Sequence, residues 1–308
     1  MEQQRRLRGG GGSLVKKNYG PLYVTPVTMW LTCFFVIPIS IIGYYSFLRR
    51  GFNGGVIHEF SIEAFKALYN PTLFKIALNT FHVAVLSTLI MVALAIPASY
   101  YMARSRYKNF FLLLVIIPFW TNFLIRIYAW MAILGNNGIL NNLLLSTGVI
   151  NSHIQFLYNT NAVIIVTIYT YLPFAILPLY STIEKFDFSL IEAARDLGAT
   201  KLKATTKILL PNIRGGITTA VLFTFIPAFG SYAIPQIIGG SSSYMLGNVI
   251  ARELTVTRNW PLASSISMVL TVFTTLGVLL FMRFNRGAAE SVREQQERKT
   301  VQAAGSRT

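Results

Sequence analysis

Apolar runs long enough to cross a bilayer alternate along this chain with short polar segments. About 20 helical residues span the roughly 30 Å of hydrocarbon. Six stretches reach that length, at 23–48, 76–102, 110–134, 162–180, 217–238 and 262–283, and they occupy most of the 308 residues. They predict six membrane-spanning helices, an even number that puts both termini on one side. Connections 49–75, 135–161 and 239–261 then lie on the opposite side. In the first of these, SIEAFKALYNP sets Ile62, Phe65 and Leu68, or Ala64 and Leu68, at helical spacing ahead of Pro71, which predicts a short amphipathic helix. The first run exceeds the 7 to 15 residues usual for the apolar core of a secretory signal, and no A-x-A-like site follows it, so it is expected to persist as a span.

Composition agrees with the pattern: 53% of residues are apolar and 12% charged, against about 25% charged in soluble domains. The formal charge of +16, from 27 Lys and Arg against 11 Asp and Glu, would on a soluble chain point to a polyanion. Distribution removes that reading. Twenty of the 27 basic residues fall in four segments on the side of the termini, as topology requires. The bias places both termini in the cytoplasm and leaves no nucleic-acid surface. The expected division is a basic arm at 1–22, a membrane domain at 23–283 and a polar tail at 284–308. Cys33 is the one cysteine, so no intrachain disulfide forms.

Several chemistries are missing. No G-x-x-x-x-G-K-[ST] phosphate loop occurs, and His58, His82 and His153 stand apart, without metal-ligand or triad spacing. No catalytic residue, metal site or cofactor is expected on this chain. The eleven acidic residues avoid the span centres, whereas an ion-coupled carrier commonly needs an intramembrane carboxylate. Energy must come from elsewhere.

The densest charge lies in 191–211, IEAARDLGATKLKATTKILLP. Ser189 and Glu192 match a capping box that would start a helix. Along it Leu190, Ala193 and Leu197 share one face, and Glu192 and Arg195 another. Gly198 offers a left-handed stop, and Thr200 can cap a second, Lys-rich helix running to Pro211. A helix, a sharp turn and a helix on the cytoplasmic side are the expectation.

Glu192-Ala193-Ala194, three residues, Gly198, nine residues, Ile208, one residue and Leu210-Pro211 resembles the EAA loop of permease subunits of ABC importers, with every position of the pattern present. The resemblance implies an all-α membrane fold of type I (MetI-like) with six spans and a cytoplasmic coupling loop at about 182–213. It implies that Glu192, Ala193, Ala194, Arg195, Asp196, Gly198, Ile208 and Pro211 form the element that couples to a separate ATPase. The partners it implies are a second permease, two ATPase subunits that carry ATP and Mg, an extracytoplasmic binding protein and the bilayer of a bacterial inner membrane. Pro118-Phe119-Trp120-Thr121-Asn122 with Leu124-Ile125-Arg126-Ile127-Tyr128 is similar to the third-span signature of spermidine/putrescine permease subunits. Tyr180 to Lys185, Gly247-Asn248-Val249-Ile250 and Asn259-Trp260-Pro261 resemble the same subgroup, which implies a polyamine cargo and a polyamine-binding protein. Thiamine, ferric, phosphonate and oxyanion permeases share the loop and are the alternative cargo classes. An ion-coupled secondary carrier and a non-transporting scaffold are the alternatives of another kind.

Candidate path residues lie in the third to fifth spans. Asn122 and Arg126 fall at i,i+4 on one helical face just after Pro118. An arginine inside a span marks a functional site by default; a bare guanidinium repels a polyamine, so Arg126 is expected as a neutralised organiser of the gate. Trp120, Tyr128, Tyr169 and Tyr171 are candidates for cation–π contact with ammonium groups, worth ~0.5 to 2 kcal/mol each. In the fifth run Pro227, Gly230 and Pro235 are expected to interrupt the helix, and interrupted helices in lipid line cavities. That makes Phe229, Ser231 and Tyr232 further gate candidates.

Overall fold

Proline accounts for the shape of the first span. In the computed structural model, which describes the backbone of residues 20–305 and the side chains of 24–283, α1 (Gly20–Leu31) and α2 (Ile37–Ser46) are joined by a π turn at Thr32–Val36. Pro38 has no N–H to offer one turn back, and the Ile37 N–H reaches the Thr32 carbonyl instead. The expected arm at 1–22 lies almost entirely outside the described residues.

A two-stranded ribbon follows that periodicity did not reveal. Strands β1 (Leu48–Arg50) and β2 (Val56–Phe60) pair antiparallel with a bulge between Leu48 and Arg49. Gly54 and Gly55 turn the chain at φ +92° and +78°, which L side chains rarely adopt. The amphipathic helix is shorter than expected: α3 (Glu63–Lys66) and a 3₁₀ turn at Ala67–Tyr69. Its buried residue is Ala64, while Ile62 precedes the helix and is half exposed. The inward pair is therefore Ala64 and Leu68.

Four candidate spans fall on the expected runs, Val24–Ser46, Pro71–Arg104, Thr160–Glu184 and Trp260–Arg283, and a fifth, Phe123–Ser146, is shifted toward the C-terminus from the run expected at 110–134. Helix α4 (Pro71–Arg104) is 34 residues long, about 51 Å at 1.5 Å per residue, so it extends beyond the hydrocarbon. Pro71 suits its first turn, and the Asn70 side chain accepts the Thr72 N–H at 2.8 Å.

The third and fifth runs are broken. The third, expected over 110–134, is α5 (Lys108–Ile116), a 3₁₀ turn at Ile117–Trp120, a break at Thr121–Asn122, then α6 (Phe123–Leu134). After it, α7 (Ile139–Ser146) leads to α8 (Thr160–Glu184). The fully buried Asn141 holds this connection: its Nδ2 donates to the Gly135 and Ile154 carbonyls, and its Oδ1 accepts the Ile154 N–H at 2.9 Å. Past α8 come α9 (Ser189–Asp196), α10 (Lys201–Ala204), a π turn at Thr205–Leu209 and α11 (Leu210–Asn212). The fifth run, expected over 217–238, is α12 (Arg214–Phe229), which stops at Gly230 and is followed by a π turn at Pro235–Gly239. Pro227 does not interrupt it, contrary to expectation; the helix passes through Pro227, and neighbouring helices tolerate such prolines in membranes. The chain ends with α13 (Leu246–Thr255) and α14 (Trp260–Gly305), whose helical backbone continues past the predicted span end at 283.

Helices α4, α8 and α12 form the centre, with the first span and α14 at the periphery. Lipid tails are as apolar as leucine, so burial alone does not hold helices together here; close van der Waals contact through small residues does. Ala84, Ala95, Ala175, Ala220 and Ala228 are fully buried. A Cβ at Gly216 of α12 would stand 2.5 Å from Thr182 Oγ1 of α8, and Ser99 Oγ of α4 donates to the Ile176 carbonyl of α8 at 3.1 Å.

Candidate functional site

Two places concentrate chemistry: the loop between α8 and α12, and the breaks in the third and fifth spans.

The loop begins with a correction. The expected capping box is absent, because Ser189 is the first helical residue of α9 and no side chain of the N-cap residue, Phe188, caps it. Asp187 does that work: its Oδ1 accepts the Ser189 N–H at 3.0 Å. Hydrogen bonds from the Ser189 hydroxyl, then from its N–H, hold the Asp187 carboxyl below the usual carboxylate range. At its other end α9 closes as a Schellman motif. The Gly198 N–H donates to the Arg195 carbonyl and the Ala199 N–H to Ala194, with Gly198 at φ +86°. Thr200 Oγ1 then accepts the Lys203 N–H at 3.3 Å and starts α10.

Pro211 withholds an N–H from the Lys207 carbonyl, and the Leu210 N–H reaches back five residues to Thr205, producing the π turn that contains Ile208. Just beyond, the chain turns by 73° into α12.

Helix α9 seats Ile191 inward, together with half-buried Ala194. Leu190, Ala193 and Leu197 face out, Leu197 being 90% exposed, and Leu202 of α10 is 74% exposed beside them. Leu190, Leu197 and Leu202 are thus exposed apolar side chains in the most charged segment of the chain. Glu192, Arg195, Asp196 and Gly198 rim a shallow hollow of about 440 Å³ in that segment. Arg104 at the end of α4 approaches Glu192 at 3.7 Å and lies 5.2 Å from the centre of the Phe188 ring, while Lys108 of α5 pairs with Glu184 at 2.7 Å. Exposed pairs of this kind are worth about 0 to 1 kcal/mol, so their effect is to orient the loop rather than to stabilise it.

At the broken spans, Asn122 turns out to be a helix cap. Its Oδ1 accepts the Leu124 N–H at 2.8 Å, which takes it off the face of Arg126 on which helical spacing had placed it. Arg126 is half buried, its guanidinium 5.7 Å from the centre of the Phe119 ring and its Nε buried without a hydrogen-bond partner. Phe119 packs edge-on against Phe174 at 5.0 Å, and Tyr171 lies beside Phe174 within electrostatic reach of Arg126. The buried Ser231 Oγ sits near the Tyr171 hydroxyl without meeting it in a full hydrogen bond.

Of the nine expected path residues, Arg126, Tyr171 and Ser231 come together. Trp120 is 83% exposed and Tyr128 half exposed. Tyr169 packs on Trp130 at 5.3 Å, and Phe229 stacks on Phe225 and approaches Phe273, beside an apolar groove of about 420 Å³. Tyr232 faces a separate polar hollow with Gln236, Tyr244 and Asn248. Phe119 and Phe174 were missed as members of the cluster, although Phe119 lies in the stretch from Pro118 to Tyr128 singled out in the sequence.

Comparison with known proteins fits this geometry. Residues 91–294 match the family described as binding-protein-dependent transport system inner membrane component. The spermidine/putrescine transport system permease protein PotB of Haemophilus influenzae is 36% identical over 275 residues, covering 89% of this chain and 96% of that protein. Its Escherichia coli counterpart is 36% identical over 265 residues, 85% of this chain and 96% of that one. The inner membrane ABC transporter permease protein YdcU of Escherichia coli is 30% identical over 248 residues, 76% and 78% of the two chains. Among solved structures, a bacterial ABC transporter involved in the import of the acidic polysaccharide alginate superposes with a TM-score of 0.73 at 18% identity, covering 88% of this chain and 96% of that one. The MetNI methionine ABC transporter superposes at 0.54 and 19% identity, covering 70% and 95%. These two likenesses concern the fold.

Proposed function

The chain belongs to the family of binding-protein-dependent transport system inner membrane components and is a multi-pass permease subunit of an ABC importer, and from that premise we propose that its cargo is a polyamine, spermidine or putrescine. The observation that carries the cargo is the 36% identity to spermidine/putrescine permeases, sustained over 85 to 89% of the chain. The subunit is not itself catalytic and works with a separate ATPase. The proposed assembly adds a second permease, two ATPase subunits and an extracytoplasmic polyamine-binding protein. Domain 23–283 spans the inner membrane with the EAA loop and both termini in the cytoplasm.

The mechanism follows from the loop. ATP-driven closure of the ATPase pair displaces α9, the bend at Pro211 carries that displacement into α12, and the break at Gly230 opens or closes toward the opposite side. Two accessible states with the site exposed alternately make the transport directional. Cation–π contact from Tyr171 suits a passing ammonium group.

Arg126 supports a second reading. Its guanidinium lies over the Phe119 ring and its buried Nε has no hydrogen-bond partner, an arrangement that suits an anionic cargo. Uptake decides. Cells deleted for the gene and lacking redundant systems should lose labelled spermidine or putrescine uptake, regain it with the wild-type gene and stay below about a tenth of that level with Glu192→Arg at equal abundance, since reversing that charge opposes coupling. Undiminished polyamine uptake after deletion overturns the cargo; full rescue by Glu192→Arg overturns the coupling role of the loop.

A further inference from the structure

The break in the fifth span is fastened to α13. After Gly230 the chain passes through Ser231 and Tyr232 before the π turn, and the first turn of α13 packs onto this break. Gly247 makes the approach possible: a Cβ there would stand 2.6 Å from the Ser231 carbonyl oxygen and 3.4 Å from Tyr232 Cα. Backbone meets backbone where any side chain would wedge the two apart.

Asn248, the next residue, is 1% exposed. Its Nδ2 donates to the Tyr232 carbonyl at 3.2 Å and to Gln236 Oε1 at 2.9 Å, while its Oδ1 accepts the Met245 N–H at 3.2 Å. Both amide donors are spent on the turn that follows Gly230, in which the Gln236 N–H itself donates to the Tyr232 carbonyl, and the acceptor ties that turn to the start of α13. A carboxamide buried in this way is costly when unpaired and strongly directional when satisfied. Helix α4 joins the same joint. Thr80 Oγ1 accepts the Leu246 N–H at 2.9 Å, and Asn79 Nδ2 donates to the Tyr244 carbonyl at 3.1 Å.

Further along, Arg252, Leu254, Thr255 and Val256 are exposed, Val256 at 73%, and Arg252, Thr255 and Val256 line one hollow with Tyr232, Gln236 and Asn248. The helix is 10 residues long, a rigid arm of about 15 Å. It has one end fixed to the break and the other on the surface opposite the EAA loop.

We propose that Asn248 is the positioning residue that locks the fifth-span break to α13, so that the gate at Ser231 and the outward surface of α13 move as one body. A protein docking on that surface then displaces the gate through Asn248, without touching the cargo path. The inference rests on the orientation and gate position proposed above but not on the identity of the cargo.

The test uses the complete importer in its membrane. With Cys33→Ser removing the native thiol, Ser231→Cys is labelled from outside by a membrane-impermeant maleimide, with and without Asn248→Ala or Gln236→Ala. Releasing the clamp should raise the labelling rate about 10-fold, within the 5- to 150-fold range of ordinary coupling energies. In chains that keep Ser231, the same variants should bring the ratio of ATP hydrolysis with binding protein to hydrolysis without it close to one. Gln236→Ala leaves two of the three Asn248 bonds in place, so it decides the matter if Asn248→Ala does not assemble. Unchanged labelling and an unchanged ratio in the variants that assemble overturn the proposal, because a role in folding alone would alter abundance and neither readout. Wild-type importer that fails to take up polyamine while the labelling difference persists would sink the cargo and leave the clamp standing.

Discussion

Asp187 is the residue that caps the start of α9. Its carboxylate accepts from the Ser189 hydroxyl and N–H, and both bonds favour the ionised form and depress its pKa. A carboxylate with a depressed folded pKa contributes stability above its unfolded value, about 3.9, and loses that contribution as pH falls through the folded value. The cap is therefore fully formed across the physiological range, and acidification reaches it only below the ordinary carboxylate titration. Asp187→Ala should fray α9 and speed trypsin cleavage at Arg195 in inside-out vesicles a few-fold at neutral pH, with Asp187→Asn keeping an acceptor and lying between. Equal cleavage rates in all three would remove Asp187 from this role. Sequence spacing favoured Ser189 with Glu192 because the two match a capping box, yet Asp187 satisfies the same N–H from two residues earlier. Local pattern permits both caps, and only the path of the chain leaving α8 chooses between them. The left-handed Gly198 and the Thr200 cap, by contrast, were legible, since each depends on its immediate neighbours alone.

Among the elements, hydropathy disclosed where helices cross the membrane and misplaced where they stop. Window averages count Phe110 to Leu134 as one apolar run because the broken backbone at Thr121–Asn122 changes hydropathy very little. The signal for that break was the Asn122 cap, a polar residue followed by a strongly apolar helix. In the fifth span the expected stop at Gly230 is where α12 ends and the one expected at Pro227 is not, and what holds the stop, Gly247 of α13 against Ser231, is a contact 16 positions away in sequence and invisible to any window. The hairpin of β1 and β2 was missed because its strands lie outside any long periodic stretch. Packing between α8 and α12 supports a prediction at this scale. Gly216 meets Thr182, whereas at the adjacent Gly215 nothing lies within 4 Å of a Cβ. Gly216→Ala should push the two helices apart beside the coupling loop and cost about 1 to 3 kcal/mol, lowering the melting temperature of the solubilised importer. Gly215→Ala should be near neutral, and Thr182→Ala should recover part of the loss because it removes Oγ1 and the Cγ2 methyl. If both glycines tolerate alanine equally, the tight approach of α8 and α12 is not what holds this end of the bundle.

Across the whole molecule, two ends with different chemistry are joined through α12. One end carries the EAA loop with its exposed leucines and ion pairs; the other carries α13 and the Asn248 clamp. Each is tied to an end of the same broken span, through the 73° turn after Pro211 and through Gly247 against Ser231. The arrangement transmits force only if the two ends face opposite sides of the membrane, and the distribution of charge decides which faces where. Twenty of 27 basic residues lie in the segments on the EAA side, and basic residues resist translocation. A fluorescent reporter that matures only in the cytoplasm should therefore glow when fused after residue 308. It should stay dark when inserted at Asn151–His153, whereas alkaline phosphatase, active only outside, should give the reverse. The same signal from both positions would mean an even number of crossings between them, so that one of α8, α12 and α14 does not cross. The broken fifth span would then be re-entrant, returning the chain to the side of the EAA loop, and α13 would no longer lie opposite the ATPase. With the expected pattern, the 16 residues of α12, about 24 Å of helix, fall short of the hydrocarbon thickness. The break and its clamp then supply the remaining depth. An interrupted backbone within the bilayer survives only when its polar groups are met, as Asn248 meets those of Tyr232 and Gln236.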